Sequence, residues 1–423
     1  LIGVVFWPAG MPPALHAAPH NKLEQQGSVM TYQPGRQFLQ IPGPTNIPER
    51  VLRAIAAPVL DHRGPDFARL ASEVLARIKP IFKTAQPVLI FPASGTGAWE
   101  AAIVNTLSPG DKVLGFDSGQ FSLLWTNMAR KLGLEVETLA TDWRRAPDPA
   151  LIEAALAEDR EKKIKAVLLV HNETANGCMT RVAEIRQAMD RVGHPALLLV
   201  DTISSLGSAD FRMDEWGVDV AIGGSQKGLM LPAGLAFCAV SEKALAASKR
   251  AKLPRSYWDW DSYLGGNFPY TPACNLLFGL REALNLIDAE GLENIFIRHA
   301  RHAEATRRAI RGWGLEVVCA EPKDYSHSIT AAFMPEGCSA DGFRKLVLER
   351  FNMPLGGGLG RLADKAFRIG HLGDTNDLML GGALFGVEMG LAAAKIPHKA
   401  GGVQQALNYL ADQSGNTARL AAE

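Results

Sequence analysis

Between residues 87 and 240 short apolar-rich runs alternate with segments of helical spacing, and this pattern constrains the fold more than anything else in the chain. The runs are Pro87–Phe91, Lys112–Phe116, Leu134–Leu139, Ala166–Val170, Ala196–Val200, Val218–Ile222 and Leu235–Val240. Helical patterns at Ala98–Leu107, Ser122–Leu132, Pro149–Leu156 and Arg181–Arg191 separate most of them. Strands that are apolar at nearly every position are buried on both faces, which calls for a mostly parallel sheet covered by helices. A loop without a helix joins Ile222 to Leu235–Val240, so this last strand is expected to run antiparallel. The fold class is therefore α/β, with a mixed seven-stranded sheet, and in such sheets functional groups gather at the carboxyl ends of the strands.

The flanking segments give the remaining organisation. Residues 1–29 are expected to be a disordered extension and residues 30–60 an N-terminal arm, extended where Pro34-Gly35 and Pro42-Gly43-Pro44-Thr45-Asn46 break regular structure. A large domain is expected over residues 61–290, ending in a long helix from Leu276 to Ala289. A small α+β domain is expected over residues 291–400. It reads as helices at Leu292–Gly312, Ala340–Phe351 and Leu378–Ala394, with strands near Leu315–Cys319, near Ser328–Phe333 and closing at Arg368. Residues 401–423 read as a short helix and a polar tail.

Composition removes several function classes. Lys+Arg and Asp+Glu are equal at 44 each, so no net field draws the chain to nucleic acid or to an anionic membrane. No stretch reaches the uninterrupted apolar length of a membrane span. Leu1–Phe6 is apolar but lacks a basic segment before it and is followed by Pro8, Pro12 and Pro13, which does not read as a secretory signal. The five cysteines are dispersed without a CxxC, which argues against a disulfide framework and a zinc site and for a reducing, cytoplasmic setting. No metal ligand set is expected.

Two charges stand out against this background. Ala196–Val200 runs into Asp201, and Val218–Ile222 leads through Gly223-Gly224-Ser225-Gln226 to Lys227. A charge at a buried strand end is costly unless something there requires it. Pyridoxal 5'-phosphate requires both: its aldehyde forms a Schiff base with a lysine, and its protonated ring nitrogen needs a carboxylate. Singly, Asp201 reads as a cap and Lys227 as a solvated turn residue; the pair carries the inference.

Phe91-Pro92-Ala93-Ser94-Gly95-Thr96-Gly97 follows a strand and opens a helix, where exposed backbone N–H groups favour a phosphate. A dinucleotide fingerprint is the rival reading, but its third small residue is replaced by Glu100. Thr174 and Phe121 end neighbouring strands and can contact a cofactor, or can be an ordinary strand-end threonine and a core ring. Arg368, beside Gly356-Gly357-Gly358, is a candidate clamp for a substrate carboxylate.

Taken together these segments resemble class V aminotransferases of pyridoxal-phosphate fold type I, most closely the bacterial serine–glyoxylate enzymes. The resemblance spans Tyr32 to Pro397. It is carried by Pro42-Gly43-Pro44-Thr45-Asn46, Asp61-His62-Arg63-Gly64, Ser94-Gly95-Thr96-Gly97, Asp201-Thr202-Ile203-Ser204-Ser205, Gly224-Ser225-Gln226-Lys227 and Phe367-Arg368-Ile369-Gly370-His371. It implies Lys227 as the Schiff-base lysine and Asp201 as partner of the ring nitrogen. It implies Ser94, Gly95, Thr96 and Gln226 at the phosphate, Phe121 stacked on the ring and Thr174 at the phenolic oxygen. It also implies Arg368 as substrate clamp and Thr271 as a residue completing the phosphate site of the other subunit in a homodimer. Two departures are visible. The stacking position is Phe121 where relatives often have Trp, and Phe268 stands where some have a phosphate-binding Tyr, with Tyr270 a candidate substitute.

The implied reaction is a ping-pong transamination, L-serine and glyoxylate giving hydroxypyruvate and glycine, with alanine as the nearest alternative donor. A desulfurase-type lyase would need a reactive cysteine near Lys227, and neither Cys319 nor Cys338 has an electropositive sequence setting. A non-enzymatic descendant would have been expected to lose Asp201 or Lys227.

Overall fold

All seven apolar-rich runs become strands of a single sheet. A computed structural model of the chain describes residues 34–420, so the expected extension over residues 1–29 lies outside the described residues. The strands are β1 (Val88–Phe91), β2 (Lys112–Asp117), β3 (Glu135–Ala140), β4 (Ile164–Val170), β5 (Leu197–Asp201), β6 (Val220–Gly224) and β7 (Ala236–Val240). Their order across the sheet is β1-β7-β6-β5-β4-β2-β3. β7 runs antiparallel to both β1 and β6, and the other neighbours pair in parallel, as the missing crossover helix before β7 requires.

Every residue of β1, β5, β6 and β7 is buried, which is why these strands read as unbroken apolar runs. Successive residues of β5 face opposite ways: Leu198 and Val200 enter one apolar core, Leu197 and Leu199 the other. The edge strand β3, Glu-Val-Glu-Thr-Leu-Ala, is only partly buried and carries polar residues. Register aligns Val170 with Asp201 and Asp201 with Ile222, so the carboxyl ends of β4, β5 and β6 meet at one rim.

A second sheet holds β8 (Ile329–Phe333), β9 (Gly356–Gly357) and β10 (Ala366–Gly370) in the order β8-β10-β9, all antiparallel. Two expectations are corrected here. Leu315–Cys319 is not a strand: Val317 bridges Ala332, and by Ala320 the backbone N–H has turned away to Arg144 O at 2.8 Å. Arg368 does not close its strand but sits at its centre, paired with Ala331 on one side and Gly356 on the other.

The arm and the C-terminus are also more built than expected. Residues 37–45 are stitched to the body through Phe38 N–H to Asn352 O (2.9 Å), Gln40 N–H to Pro354 O (3.1 Å) and Thr45 N–H to Gln226 O (3.1 Å). Gly402–Leu420 is one 19-residue helix rather than a short helix and a tail. Its start is capped by Glu388, whose carboxylate accepts from Gly401 N–H (2.8 Å) and Val403 N–H (3.0 Å), and Ala406 and Leu410 are buried in an apolar core. Among the described residues no helix is long and apolar enough to cross a membrane.

Candidate active site

At the joint rim of β4, β5 and β6 lies a cavity of about 240 Å³ lined by Ser94, Gly95, Thr96, Phe121, Thr174, Asp201, Gln226 and Lys227. These are eight of the ten residues singled out in the sequence. Arg368 lines an adjoining cavity of about 450 Å³ that shares Phe121, Thr174 and Lys227 with the first. Thr271 is exposed and lines neither cavity. The structure also adds Gly43, Pro44, Trp99, Asn172, Ile203 and Ser204 to the lining of the smaller cavity.

Asp201 ends β5 with both carboxylate oxygens engaged. Oδ2 accepts from the Trp99 indole N–H at 3.0 Å, and Oδ1 from the backbone N–H of Ile203 at 2.7 Å. Trp99 is itself packed against Trp125, with ring centroids 5.7 Å apart and the planes 16° from parallel. Burial pushes the Asp201 carboxyl up to about 7, and these two donors oppose that rise.

Lys227 follows β6 and is 8% exposed. Burial, with the Arg368 guanidinium adding to it and Asp201 opposing, lowers its amine to about 8. Nζ donates to Pro42 O, and Thr45 Oγ1 donates to Lys227 O at 3.2 Å, so the arm clasps the lysine from both ends. Gly43, at φ 102°, lies so close that a Cβ there would sit 2.5 Å from Lys227 Cδ. Pro42-Gly43-Pro44 signalled this only as a resemblance; as a local pattern it read as an extended arm.

The helix Gly95–Thr106 begins earlier than its apolar spacing implied, with Ser94 at its N-cap and Gly95 and Thr96 in its first turn. Ser94 makes no side-chain cap, and it lines the cavity together with Gly95 and Thr96 of the first turn. A Cβ at Gly95 would lie 2.2 Å from Ile203 Cδ1, so any larger residue there would displace the Ile203 side chain. Thr174 Oγ1 is bonded to Ser204 Oγ.

Glu173, 3% exposed, was passed over as a site residue. It accepts from backbone N–H groups of Phe121 (3.1 Å), Ser122 (3.1 Å) and Ala175 (2.9 Å), fixing the start of helix Gln120–Lys131 and with it the Phe121 ring. Burial raises its carboxyl, and these backbone bonds and the Arg368 charge oppose that. Arg368, 8% exposed, donates from Nε to Gly357 O at 2.7 Å and from Nη1 to Thr174 O at 2.9 Å. Both bonds are to carbonyls, so its charge is held in place without a carboxylate hydrogen-bonded to it among the described residues.

Residues 37–350 match the family Aminotransferase class-V. The chain is a class V aminotransferase. The serine–glyoxylate aminotransferase of Methylorubrum extorquens is 48% identical over 391 residues, covering 90% of this aminotransferase and 97% of that protein. The L-aspartate–glyoxylate aminotransferase of Paracoccus denitrificans is 46% identical over 366 residues, covering 85% and 92%. Among solved structures, the ureidoglycine–glyoxylate aminotransferase of Bacillus subtilis superposes with a TM-score of 0.83 at 27% identity, over 90% of this chain and 99% of that one. Class V aminotransferases of this fold, fold type I, are pyridoxal-phosphate enzymes, which fixes the cofactor of this aminotransferase.

The cavity fits that group. Asn172 Nδ2 and Gln226 Oε1 are buried in its wall and have no hydrogen-bond partner among the described residues, as expected where a polar ligand belongs. An amine, a carboxylate and a helix N-terminus face one volume, matching the aldehyde, the ring nitrogen and the phosphate.

Proposed function

We propose that this aminotransferase transfers the amino group of L-serine to glyoxylate by a ping-pong cycle, releasing hydroxypyruvate and glycine, with L-alanine as the alternative donor. The observation that carries the reading is the convergence of Lys227 and Asp201 on one cavity with Arg368 lining its extension. The donor is suggested by the serine–glyoxylate relatives at 46–48% identity.

In this reading Lys227 holds the cofactor covalently between turnovers, and Asp201 keeps the proton on its ring nitrogen. Gly95, Thr96, Ser94 and Gln226 hold the phosphate, Phe121 lies against the ring, and Asn172 and Thr174 bond its phenolic oxygen. When bound, the cofactor supplies the electron sink that makes the donor Cα–H acidic. Arg368 orients the donor through its α-carboxylate. Lys227 Nζ, once released, takes the Cα proton; an amine near 8 is poised for this at neutral pH. The buried walls keep water from competing for that proton.

The same reading makes the enzyme a cytoplasmic homodimer in which Thr271 of each subunit completes the phosphate site of the other. The exposed position of Thr271 and the five free thiols support it. It divides the chain into a cofactor-binding domain over residues 61–290 and a smaller domain over residues 291–400, a reading supported by the separate seven-stranded and three-stranded sheets.

The test is the visible spectrum of the purified holoenzyme. The cofactor band is expected to bleach with L-serine and to return with glyoxylate. A band that serine leaves unchanged while alanine or another donor bleaches it would overturn the substrate assignment and keep the aminotransferase.

A further inference from the structure

The cavity that opens from Lys227 toward Arg368 contains a second guanidinium, Arg344, which the transamination reading leaves without a role. Arg344 reaches it from the helix Ala340–Phe351, across the short strand β9 from Arg368. That strand is Gly356-Gly357, and each glycine makes room for one arginine. A Cβ at Gly356 would lie 3.0 Å from Arg368 Cβ and 3.3 Å from its Nε, and a Cβ at Gly357 would lie 2.6 Å from Arg344 Nη1.

Both side chains are anchored on one edge. Arg344 donates from Nε to Leu355 O at 2.9 Å and from Nη1 to the Asp341 carboxylate at 2.6 Å. Arg368 donates from Nε and Nη1 to Gly357 O and Thr174 O. Each therefore keeps an Nη2 with no acceptor among the described residues. Burial is the main cause that lowers the Arg368 pKa, Glu173 opposes it and Arg344 adds to it, so the two guanidiniums sense each other across the cavity even with Asp341 on Arg344. A monocarboxylic donor such as serine or alanine engages Arg368 and leaves Arg344 Nη2 unused.

We propose that this site accepts acidic amino donors, an L-aspartate-class substrate, with the α-carboxylate on Arg368 and the side-chain carboxylate on Arg344. This rests on the reading of Arg368 as the α-carboxylate clamp. Arg344 is then the residue that favours an acidic donor over its neutral isostere, because a carboxylate bonds a guanidinium more strongly than an amide does. Asp341 competes for the same guanidinium and tempers that preference.

The experiment compares kcat/KM for L-aspartate, its neutral isostere L-asparagine, and L-serine, all with glyoxylate, in the holoenzyme and its R344Q and D341N variants. The expected result is a preference for aspartate over asparagine of at least tenfold. That ratio should collapse at least tenfold in R344Q and rise in D341N. Aspartate turnover no better than asparagine, or an aspartate-to-asparagine ratio unchanged in R344Q, would overturn the inference even if serine is a good substrate. An enzyme inactive on serine that shows the Arg344-dependent aspartate preference would keep the inference and overturn the serine assignment alone.

Discussion

The Trp99 indole N–H donates to Asp201 Oδ2 at 3.0 Å, joining the first helix after β1 to the end of β5 inside the cofactor cavity. This bond favours the ionised carboxylate that a protonated ring nitrogen needs. Trp99→Phe keeps the stacking on Trp125 and removes only the donor. Loss of one such bond is worth about 1 kcal/mol, so cofactor Kd should rise roughly five- to tenfold. Cofactor-free Asp201 titrates near 7, so affinity should increase as pH rises through 7 in the parent protein. In the variant that limb should move to higher pH. Spectral titration with pyridoxal phosphate between pH 6 and 8.5 measures both effects.

The same carboxylate carries a stability cost in the cofactor-free protein. Its folded pKa, about 7, lies above the ordinary value of 3.8. The unfolded chain therefore gives up its proton first, and stability is lost as pH rises from about 4 to about 7. Asp201→Asn removes that loss, which for this shift is at most on the order of 4 kcal/mol. The cofactor-free variant should melt a few degrees higher than the parent at pH 8, with little difference at pH 4.5, while its transaminase rate falls at least a hundredfold. An equal melting shift at both pH values in differential scanning fluorimetry would contradict this account.

The large sheet was readable from the chain because its strands are buried on both faces and leave unbroken apolar runs. Asp201 and Lys227 were readable because charge at the end of such runs has few structural explanations. Residues that act through shape were not. Gly43 reads as a turn residue until Lys227 is seen against it, and Trp99 reads as core until its N–H is seen on Asp201. Glu173 is not legible as a site residue, since nothing local reveals that a distant helix N-terminus lies on it. The final helix reads shorter in the sequence than it is because its buried face is sparse in large apolar residues and its cap, Glu388, comes from another helix.

Arg368 has two separable effects, one on substrate and one on Lys227. Removing the guanidinium in Arg368→Gln removes a charge-assisted grip worth about 3 kcal/mol, so KM for the donor should rise about a hundredfold. It also removes a cation that lowers the Lys227 amine, so that pKa moves up from about 8. The neutral amine is the proton acceptor, and the single-turnover rate should increase with pH and level off above the pKa. In the variant the levelling should occur at higher pH, which stopped-flow spectra at saturating donor would reveal.

Thr271 lies on the surface, away from Lys227 of its own chain. If it serves the partner subunit, Thr271→Val should weaken cofactor binding several-fold, about the loss of one hydrogen bond. Hybrids of Lys227→Ala and Thr271→Val subunits should then contain two kinds of site. In one, the intact lysine receives the partner's intact threonine; in the other, the lysine is missing and the partner supplies valine. One site in each hybrid should therefore be fully parental, and cofactor titration should show a parental-affinity class. If Thr271 acts within its own chain, no hybrid site is fully intact and that class should be absent.

Gly43 offers the sharpest separation of site geometry from fold. Its φ of 102° is strained for any residue with a Cβ, and that Cβ would lie 2.5 Å from Lys227 Cδ and 2.7 Å from Nζ. Backbone strain alone should cost about 1–3 kcal/mol, which a protein with a core this size can absorb. The lysine cannot keep its place, because the carbonyl of Pro42 holds Nζ from the same side. Gly43→Ala should therefore purify folded, with a melting temperature lower by several degrees, and should lose at least a hundredfold in activity. Double substitution with Lys227→Ala removes the clash and should recover part of the lost stability, though no activity. A melting temperature that drops equally in the parent and Lys227→Ala backgrounds would show that the strain is the backbone's alone.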